Sequence, residues 1–285
     1  MTKQRRVRII VDSTCDASSE VRARLRVVPL CVRFGEDEYV DGVTITHREF
    51  YYMLATRKEM PSTSQPNPAA FAKVYDEVLA ADEDAVVLTI SAALSGTYQS
   101  AKIAATDIED RIFVVNGKSV AIGTGILAEY ALSLADQGKS AAEIAAELNV
   151  LRDRVRLLAM FDTLEYLKRG GRLSRTAAIA GTVLGIKPLV TLRDGQIDML
   201  GKARGSRQGY AALQQKAEAW GGVNFDFPVL LGYTGQSSDH LTSWISATPK
   251  LWQGRSGTLR ASAIGSVVGT HAGPGAVAVA FVEKE

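Results

Sequence analysis

The stretch AVVLTISAALSGTYQS, residues 85–100, decides the fold. Its first part, Ala85 to Ile90, is a continuous apolar run, the pattern of a strand covered on both faces as in a parallel sheet. Helix-like sequence follows Ser95-Gly96. In an open parallel sheet the crevice outside the carboxyl ends of the strands receives the ligand. The Ser95 and Gly96 amides therefore fall at or just before a helix N-terminus, where an anion is favoured. Glycine at 96 lets a ligand approach the backbone closely. Ser95 as a simple N-cap accounts for the same spacing equally well.

The rhythm extends outward from this stretch. Val7 to Val11 (VRIIV) reads as a strand closed by Asp12-Ser13-Thr14, and Val27 to Phe34 as a second apolar, β-branched run before a turn at Gly35-Glu36-Asp37. Thr46 and Glu49 fit a capping box that opens a helix to about Arg57. Asn67-Pro68 pairs an N-cap with proline at the first helical position, for a helix to about Ala81. Arg111 to Val115 is another strand, Ala121 to Gln137 a helix, and Ser140 caps a further one. Alternation of this kind implies a parallel sheet with helices on both faces.

After about Arg156 the pattern changes. RLLAMFD is a strand, Thr163 to Arg169 a short helix ended by Gly170-Gly171, and Ser174 to Leu184 a further helix. The next segment reads as a hairpin turning at Asp194-Gly195. A helix over Ser206 to Trp220, a strand at Val229 to Tyr233, a helix near Ser238 to Ala247 and two late strands follow. The expected fold class is α/β, with an N-terminal parallel sheet domain over 1–157 and a C-terminal α+β domain over 158–285.

Bulk properties exclude several classes. With 46% hydrophobic residues the chain can bury a large core, and 33 basic against 31 acidic residues leave a net charge of +2. That balance gives no footprint for nucleic acid or an anionic membrane. There is no run of about eighteen apolar residues to span a bilayer, and the N-terminal apolar run is too short for a signal peptide. Cys15 and Cys31 alone make no disulfide framework, which fits a cytoplasmic setting. No GxGxxG follows the first strand, no GxxxxGK[ST] is present, LSGTY is not a GxSxG elbow, and no cysteine or histidine pair has zinc spacing. No cofactor is expected.

Small polar residues and glycine fill three loops: PSTSQP (61–66), the Ser95 segment, and GTHAGPGA (269–276). Thr63 lies between two prolines that stiffen its loop. His271 lies in a tight glycine-rich loop, where an imidazole can donate to a carboxylate or act as acid or base, although a lone histidine is more often structural. Asp12 and Asp16 are read as capping the following helix or orienting the neighbouring loops rather than holding magnesium. Arg169-Gly170-Gly171-Arg172 and Lys202-Ala203-Arg204 offer guanidinium forks suited to carboxylate or phosphate, or a solvated basic surface.

VDSTCD (11–16), TSQPNPAAF (63–71), ISAALSGTYQSA (90–101), LEYLKRGGRLS (164–174), GIKPLV (185–190) and GTHAGPGAV (269–277) together resemble the DegV family of fatty-acid-binding subunits of bacterial fatty acid kinase. The resemblance implies a long-chain fatty acid in a tunnel between the domains, with Thr63, Ser95, the Gly96 amide and His271 around its carboxylate. Arg172 and Arg204 match family arginines on the face that meets the kinase. The ATP-binding kinase subunit would phosphorylate the presented carboxylate, and an acyl-phosphate acyltransferase and transient membrane contact are further expected encounters. The chain is then non-catalytic alone. The alternative is a self-sufficient serine hydrolase or phosphotransferase using Ser95 and His271. A DNA-associated role through RGGR is opposed by the balanced charge.

Overall fold

The computed structural model describes residues 5–173 and 185–284. The helix expected over 174–184 lies outside the described residues. The first half runs β1 (Val7–Asp12), α1 (Ser19–Arg22), β2 (Arg26–Val28), β3 (Cys31–Phe34), β4 (Asp37–Val40) and α2 (His47–Thr56). It continues through β5 (Ser62–Ser64), α3 (Pro68–Ala80), β6 (Asp84–Thr89), α4 (Thr97–Ala104), β7 (Ile112–Asn116), α5 (Ile122–Asp136) and α6 (Ala141–Leu151). The second half begins with β8 (Val155–Met160), α7 (Glu165–Arg169), β9 (Ile186–Arg193), β10 (Gln196–Arg204) and α8 (Gly205–Ala219). β11 (Val223–Asn224), β12 (Leu230–Tyr233), α9 (Asp239–Ala247), β13 (Arg260–Ala263), α10 (Ser266–Ala272) and β14 (Val277–Glu283) complete it.

The expected parallel sheet is present, in the order β2-β1-β6-β7. Its apolar runs are explained by its two covered faces. Alternate side chains of a strand point to opposite sides. Val86 and Leu88 face the core shared with α5, and Ala85 and Val87 face the core under α3 and α4. Both faces are apolar over Ala85 to Leu88, so the strand shows no alternation there. The capping boxes at Thr46 and Ser140 form with both reciprocal bonds, and Asn67 caps α3 through a 2.9 Å bond from the Ala70 amide.

The second sheet has the order β10-β9-β8-β14-β12-β13, with β11 against β14. It is antiparallel except between β12 and β13. One face packs on α8 and α9 around Leu213, Trp244 and Trp252. The other shares α5 with the first sheet, so that helix is buried on nearly every side. The layers run helix, sheet, helix, sheet, helix. The hairpin turns where expected, with Asp194 at φ 49° and Gly195 at φ 77°, the left-handed pair a two-residue turn requires. β8 begins at Val155 and belongs wholly to the second sheet, so a cut between 157 and 158 divides a strand. Among the described residues no helix is long and apolar enough to cross a membrane.

Two local expectations are corrected. The run over 27–34 is not one strand: Pro29 lacks an amide hydrogen and interrupts it. β2 stays beside β1, while β3 joins a separate antiparallel sheet, β4-β3-β5. PSTSQP therefore supplies an edge strand rather than only a loop. The GTHA segment is likewise helical, being the last part of α10. The loop proper is confined to the residues after Ala272, where Gly273 and Gly275 take φ of 69° and 81°.

Candidate functional site

Between the carboxyl ends of β1 and β6 and the inner face of the second sheet lies a cavity of about 360 Å³, within the range of small-ligand pockets. Its floor is a row of directly opposed residues on four adjacent strands: Val190 on β9, Ala159 on β8, Ala278 on β14 and Gly232 on β12. Opposed residues share a face, so small side chains there hollow the sheet surface. Ile197 of β10 also lines the cavity. The floor thus crosses five strands, about 19 Å at ordinary strand spacing. Ala121 and Ile122 at the start of α5 form one wall, and Val267 and Val268 of α10 form the roof. The lining of the cavity is mainly aliphatic.

Thr63, Ser95, Arg172 and His271 are among the polar residues of its lining. Thr63 sits on β5 opposite Val32. Its hydroxyl lies 3.0 Å from Nε2 of His271, which α10 delivers from its last turn. Nδ1 of the same ring is buried without a hydrogen-bond partner. Burial, and then the neighbouring Arg172 charge, lower the His271 pKa to about 4. The ring is therefore neutral near pH 7. Arg172 is fixed by donation from Nε to the Leu94 carbonyl at 3.2 Å and from Nη1 to the Gly170 carbonyl at 2.6 Å. It lines the cavity together with Ser95. The Ser95 hydroxyl lies 2.9 Å from that of Thr97 and accepts the Thr97 amide at 3.3 Å.

Gly96 is the N-cap of α4 and stands behind Gln65, whose carboxamide occupies the space a Cβ would need. The amide of Gln65 donates to Ser100 at 3.1 Å, and its side chain reaches the cavity. Thr63, Ser95, His271 and Arg172 thus all line this cavity, and Gly96 lies one layer back, against Gln65. Arg204 is elsewhere: it ends β10, is exposed, and donates its amide to Gln208 at 3.2 Å.

Two further groups hold the nearby loops in shape. Asp12 is fully buried and accepts from the Ile90 amide at 2.7 Å and the Thr14 amide at 2.9 Å, joining the ends of β1 and β6. Burial pushes its pKa up. Asp16 accepts from the Gly265 amide at 2.9 Å, just ahead of α10, and burial raises it well above the carboxylate range. Both anchor loops, one of the two roles expected of them; the following helix is capped by Ser18 instead. Among the described residues no group of three or more His, Cys, Asp or Glu side chains could hold a metal ion, and both cysteines are free thiols.

Sequence reasoning overlooked Gln65, although it lies within PSTSQP and precedes the Pro-Asn-Pro turn into α3. It also overlooked Ile122, Gly232 and Ile264, which line the cavity. Those residues carry no local signal, because only strand pairing brings them together.

A mainly aliphatic chamber that also presents hydroxyl, imidazole and guanidinium groups suits an amphipathic molecule. The sequence model of the DegV family, described as "Uncharacterised protein, DegV family", matches residues 6–284. A DegV domain-containing protein of Deinococcus radiodurans is 35% identical over 281 residues, 96% of this chain and 98% of that one. This chain belongs to the DegV family. Among solved structures, a fatty-acid-binding DegV family protein from Thermus thermophilus superimposes with a TM-score of 0.87 at 31% identity, covering 98% of this chain and all of that one. A stearic-acid-binding protein from Eubacterium ventriosum does so at 0.83 and 28% identity, over 98% of each chain.

Proposed function

We propose that this protein binds one long-chain fatty acid, tail in the cavity and carboxylate at Thr63, Ser95 and His271, and presents that carboxylate to an ATP-binding kinase subunit. The observation that supports the binding reading is the make-up of the cavity: an aliphatic floor about 19 Å across in a cavity that the Thr63–His271 pair also lines. Each buried methylene contributes about 0.8 kcal/mol, so roughly fourteen contribute on the order of 11 kcal/mol before ordering costs. The tail supplies affinity, and the head contacts set register. A carboxylate taken out of water needs donors. Two hydroxyls, a neutral imidazole and the nearby Arg172 guanidinium supply them.

The kinase role follows the family resemblance, and it asks for no nucleotide-binding motif in this sequence. Arg172 and Arg204 are proposed to face the partner, Arg172 from the rim and Arg204 from the exposed end of β10. An acyltransferase that consumes the acyl phosphate, transient contact with a membrane, and a cytoplasmic setting belong to the same proposal. A division ahead of Val155, which keeps each sheet whole, replaces the 157/158 boundary in this scheme. A hydrolytic role is disfavoured because the ring nitrogen of His271 engages Thr63 rather than Ser95, leaving the serine bonded to Thr97.

Native mass spectrometry of delipidated protein with added palmitate tests the binding reading: a one-to-one complex is expected, and no uptake rejects it. Addition of the kinase subunit and ATP tests the presentation: acyl phosphate should form only with both proteins present.

A further inference from the structure

The floor row does not stop at random. Gly232 is its last cavity-lining member. The opposed residue on β13, Ser262, turns its hydroxyl to the Ala17 carbonyl at 3.2 Å. Over Gly232 sit two isoleucines. A Cβ at 232 would stand 2.7 Å from Cδ1 of Ile264 and 3.1 Å from Cγ2 of Ile122. Both side chains are buried and both line the cavity. Ile264 lies two residues before α10, whereas His271 lies in its last turn. Arg172 precedes Leu173, which bridges to Ile197 at the β10 side of the floor, whereas Gly232 ends the row on β12. The isoleucine pair therefore covers the β12 end of the floor row, the end away from Arg172.

We propose that Ile264 and Ile122, seated in the space left by Gly232, are the stop that sets acyl-chain length. This rests on the fatty-acid reading above. With the carboxylate fixed at Thr63 and His271, the tail methyl must end against these two side chains. A chain too long by one methylene must displace Ile264 or lift its head from Thr63. A chain too short leaves aliphatic wall unfilled, and each methylene that finds room strengthens binding by about fourfold. Glycine at 232 is what permits the isoleucines to lie flat on β12. Any side chain there pushes them into the chamber and shortens it.

The test is a ladder of saturated fatty acids from laurate to arachidate, titrated against delipidated wild-type protein, Ile264→Ala and Gly232→Ala. Ile264→Ala should move the tightest-binding member to a longer chain, with about a fourfold gain per additional methylene accommodated. Gly232→Ala should move it to a shorter one. The atom in its way is the flexible end of Ile264, so the variant is expected to fold; were it not to, Ile264→Ala alone decides. Wild-type binding with the same length profile in the variants overturns the stop while leaving fatty-acid binding intact. Wild-type protein that takes up no member of the ladder overturns both.

Discussion

Gly170 lies directly against the imidazole of His271: a Cβ on it would overlap Nδ1 and stand 2.9 Å from Cε1. Its backbone, at φ −72° and ψ −6°, is ordinary for any residue. The glycine is needed for space and not for conformation. The RGGR and GTHA segments, about a hundred residues apart, thus meet at the His271 ring. Gly170→Ala should therefore weaken fatty-acid binding by about the same factor as His271→Ala, on the order of tenfold for one lost hydrogen bond to a charged group. In a His271→Ala background the same substitution should cost little. Calorimetry on the four proteins of this cycle gives the coupling; independent, additive losses would mean that Gly170 acts some other way.

The ionisation of His271 gives a second prediction. Its pKa is lowered to about 4 in the folded protein, below the ordinary histidine value of about 6.5. Between those values the unfolded chain binds more protons than the folded one, so stability rises with pH across this window. The contribution is complete above the ordinary value and is lost as pH falls toward 4. NMR of the ring protons should find His271 titrating near 4 in the lipid-free protein. A bound carboxylate should raise that value, and Arg172→Ala should raise it in the free protein by removing a nearby positive charge.

Asp12 is a stability determinant. Removing its carboxylate leaves the buried amides of Ile90 and Thr14 without acceptors, at about 1–3 kcal/mol each. Asp12→Ala should accordingly destabilise by about 3 kcal/mol in denaturant titration. Asp12→Asn keeps the shape and one acceptor oxygen, and should cost less.

The two arginines separate binding from presentation. Arg172 lines the cavity and Arg204 does not. Arg172→Ala should weaken fatty-acid affinity by about tenfold, the scale of a charge-assisted hydrogen bond, and reduce kinase-coupled turnover with it. Arg204→Ala should leave affinity unchanged and lower turnover only. Equal effects of both variants on affinity would contradict their assigned places.

Most of the architecture was legible along the chain because its signals are local. The 85–90 run, the capping residues Thr46, Asn67 and Ser140, and Asp194-Gly195 each specify their element within a few residues. The failures have equally physical causes. Pro29 splits one apolar run between two sheets, a consequence of a single missing amide hydrogen. His271 is helical although glycines surround it, since α10 packs Val267 against the three-stranded sheet and tertiary contact overrides weak propensity. The polar residues of the lining could be picked out as hydroxyl and imidazole donors in glycine-rich segments. The floor row and the isoleucine stop could not, since Ala159, Ala278 and Gly232 become neighbours only through strand register.

A crystal structure of the protein loaded with palmitate tests the central claim most directly. The account predicts one carboxylate oxygen within hydrogen-bond distance of the Thr63 hydroxyl and His271 Nε2, with the methyl end lying over Gly232. A carboxylate found at the Ile264 end, or an occupied site outside this cavity, would contradict it.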